Sequence, residues 1–380
     1  MKQTVMSKPT RLASLDVLRG FDMFFITGGA GLVCGICAAL GMDGSWLFMQ
    51  MKHVPWEGFH HHDTIFPLFL FLAGASFPFS LASQQAKGYS TARIYLRILK
   101  RAVVLFALGL SLGGILRFDP GFRLSSVLGF IGLSWGLAAA LFTAVKTDWR
   151  RWVIFAAVVL GYFALLHFAI SPEAPAMADG YSKEWNIIRW FDVKAFPNHL
   201  YRSVAKCAGG GIPYDPESLM SLPGGIATAM LGMFAGVLLR SSAAPAVKAL
   251  RLVGFGGGCL AAFAIFRFLI GVPLVKALWT VSFVFAAATY AFWMLALFYY
   301  LVDVRGWRRW TVAFDPVGKN SILVYMMMSV GVTELIRDYL FHGICKAAGN
   351  WGWALESLTL YLVSWTILRF CQRKGVFLKV

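Results

Sequence analysis

Apolar residues are gathered into about ten long runs along this chain of 380 residues, and polar stretches separate the runs. Each run is close to the length of about 20 residues with which an α-helix crosses a bilayer. The pattern therefore predicts an all-α, polytopic transmembrane helix bundle in which residues 1–380 form a single integral membrane domain. The predicted spans lie near 15–40, 64–85, 99–116, 124–144, 151–170, 218–239, 249–270, 276–301, 317–335 and 353–370.

The composition excludes an ordinary soluble protein. Apolar residues make up 58% of the chain and charged residues 14%, whereas soluble domains carry about 25% charged residues. No N-terminal signal peptide is predicted, because Asp16, Arg19 and Asp22 interrupt the first run and no small-residue cleavage site follows.

Basic residues set the predicted orientation of the bundle. The chain has 35 Lys and Arg against 18 Asp and Glu, a net charge of +17. If both termini are cytoplasmic, every short loop assigned to the cytoplasm is basic, as the positive-inside rule requires. The surplus thus indicates topology and contact with anionic membrane lipid. No nucleic-acid partner is expected, because no DNA- or RNA-binding motif accompanies the charge. In a bacterial host this orientation corresponds to the inner membrane.

The longest predicted connection is residues 171–217, an extracytoplasmic loop between the fifth and sixth spans. The loop is mixed in charge and contains five prolines. Connections of this length are usually functional or form a small cap. We expect the loop to cover part of the outer face.

A histidine-rich loop, QMKHVPWEGFHHHDTIFP at 50–67, stands at the outer mouth of the second predicted span. Asp63 lies at the edge of a low-dielectric region, where a carboxylate needs a partner, and His53 is a suitable one. An aspartate on one ring nitrogen fixes the tautomer and leaves the other nitrogen free as a base. His53 and Asp63 are therefore candidate catalytic residues.

Two other interpretations of this loop remain open. A metal could draw His53, His60 and Asp63 together, but neighbouring histidines on a helix point about 100° apart, so no metal site is expected. The remaining histidines, taken singly, are consistent with a merely polar loop. Candidate substrate-binding residues are Trp56, which offers a face for stacking on a sugar, with Glu57 and His62.

Charged residues also interrupt the first predicted span. Asp16, Arg19 and Asp22 follow an i, i+3, i+6 spacing, which places them along one face of a helix. Ions within a membrane are costly and tend to be functional. The alternative is a structural ion pair that joins the first span to a neighbour.

The ninth run opens with FDPVGKNSILVY at 314–325. Asp315-Pro316 and Gly318 are expected to break the helix, and Lys319 and Asn320 to begin it again, followed by Ser321. A helix start with free N–H groups beside a lysine predicts a phosphate site.

Seven motifs, taken in order, resemble the heparan-alpha-glucosaminide N-acetyltransferase family of membrane acyltransferases and its bacterial relatives. The resemblance covers most of the chain except 85–120 and 145–212. The motifs are RLASLDVLRG (11–20), KHVPWEGFHHHDTIFPLFLFLAGASFPFS (52–80), YDPESLMS (214–221), LWTVSFV (278–284), LVDVRG (301–306), GKNSILVY (318–325) and RKGVFLKV (373–380).

The resemblance implies transfer of an acetyl group from cytosolic acetyl-CoA to an amino sugar across the membrane, and it implies a homodimer. His53 falls on the family's catalytic histidine and Asp63 on the acidic residue ten positions later. Asn320 and Ser321 fall on the family's Asn-Ser pair. The stretch from Asp16 to Arg19 matches the family's cytoplasmic opening.

Two positions depart from the pattern of human-type members. The first span lacks their asparagine before the catalytic histidine, and Gly129-Phe130 stands where they carry Gln-Arg. The acceptor is therefore open, and so is the choice between an amine and a hydroxyl.

We expect Arg19, Lys319, Asn320 and Ser321 to hold acetyl-CoA, and His53 to act as a general base oriented by Asp63. A transient acetyl-histidine is the alternative chemical route. Two other classes of function remain open. A sugar or amino-sugar transporter would often show internal repeats, and none is visible. A catalytically inactive sensor of the same fold would be compatible with the two departures.

Overall fold

The computed structural model describes residues 12–378, and the regular elements within this range are helical, with isolated bridges but no strand. Fifteen α-helices follow one another within this described range. They are α1 (Ala13–Phe24), α2 (Ala30–Ala39), α3 (Trp46–Gln50), α4 (His61–Ala86), α5 (Thr91–Leu112), α6 (Val127–Ala144), α7 (Asp148–Phe168), α8 (Ile187–Ala195), α9 (Leu222–Arg240), α10 (Pro245–Ala264), α11 (Val281–Phe298), α12 (Asp315–Lys319), α13 (Ser321–Ser329), α14 (Val332–Ala347) and α15 (Gly352–Arg373).

Eight helical segments within the described range are long and apolar enough to cross a membrane. They confirm the predicted all-helical membrane protein, while the count of about ten spans and the orientation of the termini stay predictions. The segments are Ala13–Ala39, His61–Ala86, Val127–Ala144, Asp148–Phe168, Leu219–Arg240, Pro245–Leu269, Val281–Val304 and Gly349–Arg373.

Two of the predicted spans are not among the eight. The span predicted at 99–116 falls on α5, whose first half carries four basic residues. The span predicted at 317–335 differs from the structure, because the chain leaves the helical conformation twice. Asn320 (φ −125°) ends α12, and Gly331 (φ +77°) separates α13 from α14. Lys319 therefore closes one short helix, and α13 begins at Ser321 and not at Lys319 and Asn320.

The centre of the bundle is formed by α4, α9 and α11, which are the most buried of the candidate spans. Glycine allows α4 and α9 to pack backbone against backbone. A Cβ atom added to Gly232 would lie 2.0 Å from the carbonyl oxygen of Phe71, and one added to Gly74 would lie 2.1 Å from that of Ala229. Small residues of this kind permit close approach of helices in membranes.

A second close approach brings the start of the chain to α12. A Cβ atom added to Gly318 would lie 1.8 Å from the carbonyl oxygen of Asp16, and one added to Gly20 would lie 2.0 Å from that of Phe314. The polar side chains of α1 are therefore held beside Lys319, which lies next to Gly318.

The loop at 171–217 contains α8 and is braced by two isolated backbone bridges, one inside the loop and one to the residue that precedes it. The backbone of Ile170 pairs with Asn186, and that of Arg202 with Tyr214. Within α8, Asp192 is buried and accepts a hydrogen bond of 2.8 Å from the Ser218 hydroxyl. Burial raises the pKa of Asp192 to about 8, although that hydrogen bond acts in the opposite direction.

Candidate functional site

His53 and Asp63 lie in contact at the N-terminal end of α4. Nδ1 of His53 is 2.7 Å from Oδ1 of Asp63. The Asp63 side chain is fully buried, while the His53 side chain is 56% exposed. The other carboxylate oxygen of Asp63 accepts from the backbone N–H groups of His60 and Val54. Asp63 is thus fixed by the start of its own helix and holds the imidazole by one nitrogen, which leaves Nε2 for other chemistry.

Lys276 approaches the same pair from the segment before α11. Its Nζ lies 3.2 Å from Nδ1 of His53 and 3.3 Å from Oδ1 of Asp63. The lysine side chain is 19% exposed. An ammonium beside a buried carboxylate stabilises the charged form of that carboxylate. Asp63 therefore has two basic partners, and they compete for one oxygen.

A cavity of about 250 Å³, here called the His53 cavity, adjoins this cluster. Its wall is mostly apolar, and its polar residues are His53, His62, Glu217, Lys276, Ser321 and Tyr325. The rings of His53 and His62 lie 4.5 Å apart between centroids. The predicted base and one predicted substrate-binding residue therefore share one wall.

Arg123 contacts Glu217, which lines the His53 cavity, and Asp215, which lies near the end of the loop at 171–217. Its guanidinium donates to both oxygens of Asp215, at 3.2 and 2.7 Å, and to Oε2 of Glu217. Burial raises the pKa of Glu217, and the charge of Arg123 opposes this rise. The two carboxylates raise the pKa of Arg123 above its usual value, although burial acts to lower it.

A second cavity, of about 440 Å³, is here called the Arg101 cavity. Its wall carries Arg19, Arg101 and Lys319, together with Asp16. Arg101 lies over the ring of Trp135, 4.2 Å from the centroid. The Nε atom of Arg101 is buried and has no hydrogen-bond partner among the residues that the structure describes. A cationic cavity with an unmatched donor is suited to an anionic ligand.

The two cavities abut inside the bundle. Five residues line both of them, namely Phe69, Leu128, Ile131, Ser321 and Ile322. Ser321 is the polar member of this shared wall and the first residue of α13. The break at Asn320 thus lies where the cavities meet.

The remaining predicted donor-binding residues have partners within the protein. Arg19 pairs with Asp16 at 3.2 Å and donates to the Ser76 hydroxyl at 3.1 Å. Lys319 pairs with Asp315 at 2.6 Å. Both basic side chains still line the Arg101 cavity.

Asn320 is buried and is not in the lining of either cavity. Its amide donates to the carbonyl of Val376 at 3.0 Å, and its oxygen accepts from the N–H of Leu378 at 3.1 Å. The side chain therefore holds the last described stretch of backbone against the start of α13. This arrangement does not bring the Asn320 amide to the cavities.

Trp56 and Glu57 are not among the residues that line the His53 cavity. The Trp56 indole N–H donates to the carbonyl of Tyr181 at 3.0 Å, and Glu57 pairs with Arg267 at 2.9 Å. The structure does not bring these two residues to the predicted catalytic pair.

Asp22 lies deeper in the first span than Asp16. Asp22 is 2% exposed, and its Oδ2 has no hydrogen-bond partner among the described residues. Neither the ion pair of Asp16 with Arg19 nor the buried Asp22 touches His53. Among the described residues there is no group of His, Cys, Asp and Glu suited to a metal ion.

Sequence reasoning did not single out Lys276, Glu217, Arg123 or Arg101. Glu217 lies inside the motif YDPESLMS, and Lys276 stands two residues before LWTVSFV. A charge inside or beside a shared motif was the available signal for these two. Arg101 ends a basic run and is indistinguishable in sequence from an ordinary charge at a membrane surface.

The chain is similar to two known membrane acetyltransferases. No family model matches the chain. The heparan-alpha-glucosaminide N-acetyltransferase of Homo sapiens is 27% identical over 431 residues, covering 98% of this chain and 60% of the human protein. That of Mus musculus is 27% identical over 369 residues, covering 83% of this chain and 54% of the mouse protein. The chain thus spans a little over half the length of these relatives. These two similarities support a family-level relationship to the heparan-alpha-glucosaminide N-acetyltransferases, as the order of the motifs predicts.

Proposed function

We propose that this protein is a membrane-embedded acetyltransferase. It moves an acetyl group from acetyl-CoA on the cytoplasmic side to an amino or hydroxyl group of a sugar on the other side. The observation that carries the proposal is the pair of abutting cavities, one cationic and one holding His53 against Asp63. The names of the two relatives supply the reaction class.

The two abutting cavities would allow an acetyl group to cross the membrane while its donor stays on one side. Acetyl-CoA is large and anionic and does not cross a bilayer, whereas an acetyl group is small. Arg19, Arg101 and Lys319 would bind the phosphates of the donor in the Arg101 cavity. The thioester would then reach past Ser321 toward His53, because the two cavities share that part of their walls.

His53 would act as the general base. Its Nε2 takes a proton from the acceptor nitrogen or oxygen, while that atom forms a bond to the thioester carbonyl carbon. The carbon–sulfur bond breaks, the electron pair leaves on sulfur, and the proton passes from the imidazolium to sulfur. Asp63 keeps the ring in the required tautomer and stabilises the imidazolium. Trapping of an acetyl-histidine after quenching would instead support the covalent route.

The test uses vesicles with the protein in known orientation and radiolabelled acetyl-CoA on the cytoplasmic face only. Glucosamine is held on the opposite face. We expect label on glucosamine with the wild type and with His60→Ala, a matched histidine whose Nδ1 contacts the Lys52 carbonyl. His53→Ala should transfer nothing while still binding acetyl-CoA.

Abutting cavities would also serve a sugar permease, which is the second candidate. Glucosamine that crosses the vesicle membrane unmodified would support the permease and contradict the transferase. Acetyl-CoA binding without transfer by the wild type would indicate another acceptor or an inactive sensor.

A further inference from the structure

Glu217 is the one carboxylate among the described residues that line the His53 cavity. It precedes α9 and reaches the cavity from the end of the long outer loop. Its surroundings there include His53, Lys276 and the largely apolar wall formed by residues such as Phe66 and Val127. A carboxylate in such a place requires partners for its charge.

One of the two carboxylate oxygens of Glu217 already has a hydrogen-bond donor. Oε2 of Glu217 accepts from Arg123. Oε1 has no hydrogen bond to any residue in the described part of the chain, and Glu217 lines the cavity. Lys276, the nearby ammonium, makes its contacts with Asp63 and His53 instead. One strong acceptor of the site is therefore left for a ligand.

The charges around the cavity do not balance. Two groups of ion pairs lie beside the cavity: Lys276 pairs with Asp63 in the first, and Arg123 pairs with Asp215 and Glu217 in the second. Arg123 already has a bidentate partner in Asp215, so Glu217 is not needed to neutralise it. The second group has one carboxylate more than it has cations, and a ligand with one positive charge would complement it.

We infer that Glu217 determines acceptor specificity by binding the protonated amino group of an amino sugar through Oε1. The contact would place the acceptor nitrogen in the cavity that holds His53, where the ammonium would lose one proton to solvent before the neutral amine attacks the thioester. The role of Glu217 in acetyl transfer rests on the proposed function. The binding of the amino sugar to Glu217 does not depend on it. It also favours an amine over a hydroxyl as the natural acceptor, because a hydroxyl leaves the negative charge uncompensated.

The test measures equilibrium binding of glucosamine and of glucose to purified protein without donor. Glucose is the neutral counterpart, since a hydroxyl replaces the ammonium. Hydrogen bonds between charged partners contribute enough for a preference of about tenfold or more for glucosamine in the wild type. Glu217→Gln should reduce that preference to about parity, whereas Glu217→Asp should keep most of it. The matched control is Glu173→Gln, an exposed acid of the same loop that pairs with Lys194.

The outcomes separate this inference from the proposed function. A preference lost in Glu217→Gln, without acetyl transfer by the wild type, supports the inference and refutes the transferase. Acetyl transfer with an acceptor KM unchanged in Glu217→Gln overturns the inference and leaves the transferase standing. The wild type alone can also overturn the inference. It would do so if it bound the two sugars equally or did not bind glucosamine.

Discussion

The Nζ atom of Lys276 lies 3.2 Å from Nδ1 of His53, although 223 positions separate the two residues in the chain. Both nitrogens face the same Asp63 oxygen, at 3.3 and 2.7 Å. A carboxylate that already faces an ammonium stabilises a second cation less. Lys276 is thus a positioning residue, because its ammonium and the imidazole of His53 share the Asp63 oxygen that orients the ring.

This relationship predicts the effect of Lys276→Met on the pH profile of transfer. Without the ammonium, a positive charge 3.2 Å from the imidazole is removed, and the interaction of Asp63 with an imidazolium becomes stronger than in the wild type. We expect transfer to fall by about tenfold or more near neutral pH and to recover toward alkaline pH. The measurement is kcat/KM as a function of pH.

The matched variant for this prediction is Lys276→Arg, which keeps the positive charge and should keep the acidic limb of the profile near that of the wild type. A uniform loss of activity in Lys276→Met at all pH values would indicate a merely structural role for the lysine.

Arg101 should contribute to binding of the donor's phosphates. Its buried Nε lacks a partner among the described residues and lines a cavity with Arg19 and Lys319. Arg101→Met keeps much of the packing on Trp135 but removes the charge. We expect CoA to bind about tenfold more weakly, measured by calorimetric titration.

The ligand pair supplies the control for this variant. Pantetheine shares the thiol arm of CoA but lacks its phosphates, so its affinity should change little in Arg101→Met. An equal loss for both ligands would mean that the cavity has collapsed and that the charge is not responsible.

Gly232→Ala should destabilise the bundle, because its Cβ would lie 2.0 Å from the Phe71 carbonyl oxygen. Overpacking of this kind typically costs about 1–3 kcal/mol. Gly257→Ala is the matched control: it also lies within a span, and its Cβ would meet no atom within 4 Å. Thermal unfolding in detergent should separate the two variants, and equal midpoints would contradict the packing of α4 on α9.

Asp192, which lies outside the candidate spans, should make the free energy of unfolding depend on pH. Its folded-state pKa of about 8 lies above the ordinary value of 3.8, so the unfolded chain ionises first as the pH rises. The neutral form is favoured in the fold, and stability decreases progressively between about pH 4 and pH 8.

Asp192→Asn cannot ionise and retains an oxygen to accept from Ser218. We expect the variant to unfold at a higher temperature than the wild type at about pH 8 and at a similar temperature near pH 4. A difference between the two proteins that does not vary with pH would contradict the assignment.

Local features of the sequence were sufficient for the class of fold and for part of the site. The length of an apolar run specifies a helix that can span a bilayer whatever surrounds it, because backbone hydrogen bonds must be satisfied within the segment. His53 and Asp63 are ten residues apart in one loop, so their contact could be predicted from chemistry alone. Their catalytic roles stay predictions.

The tertiary structure decided everything that depends on how the helices pack. Lys276, Glu217 and Arg123 come from distant segments, and hydropathy carries no information about which helix faces lie together. Asn320 stands at a predicted helix start beside a lysine, a pattern typical of an anion site, yet its side chain binds the backbone of Val376 and Leu378. Sequence could identify charged side chains near the membrane. Only packing determined which of them share a carboxylate and which are left to bind a ligand.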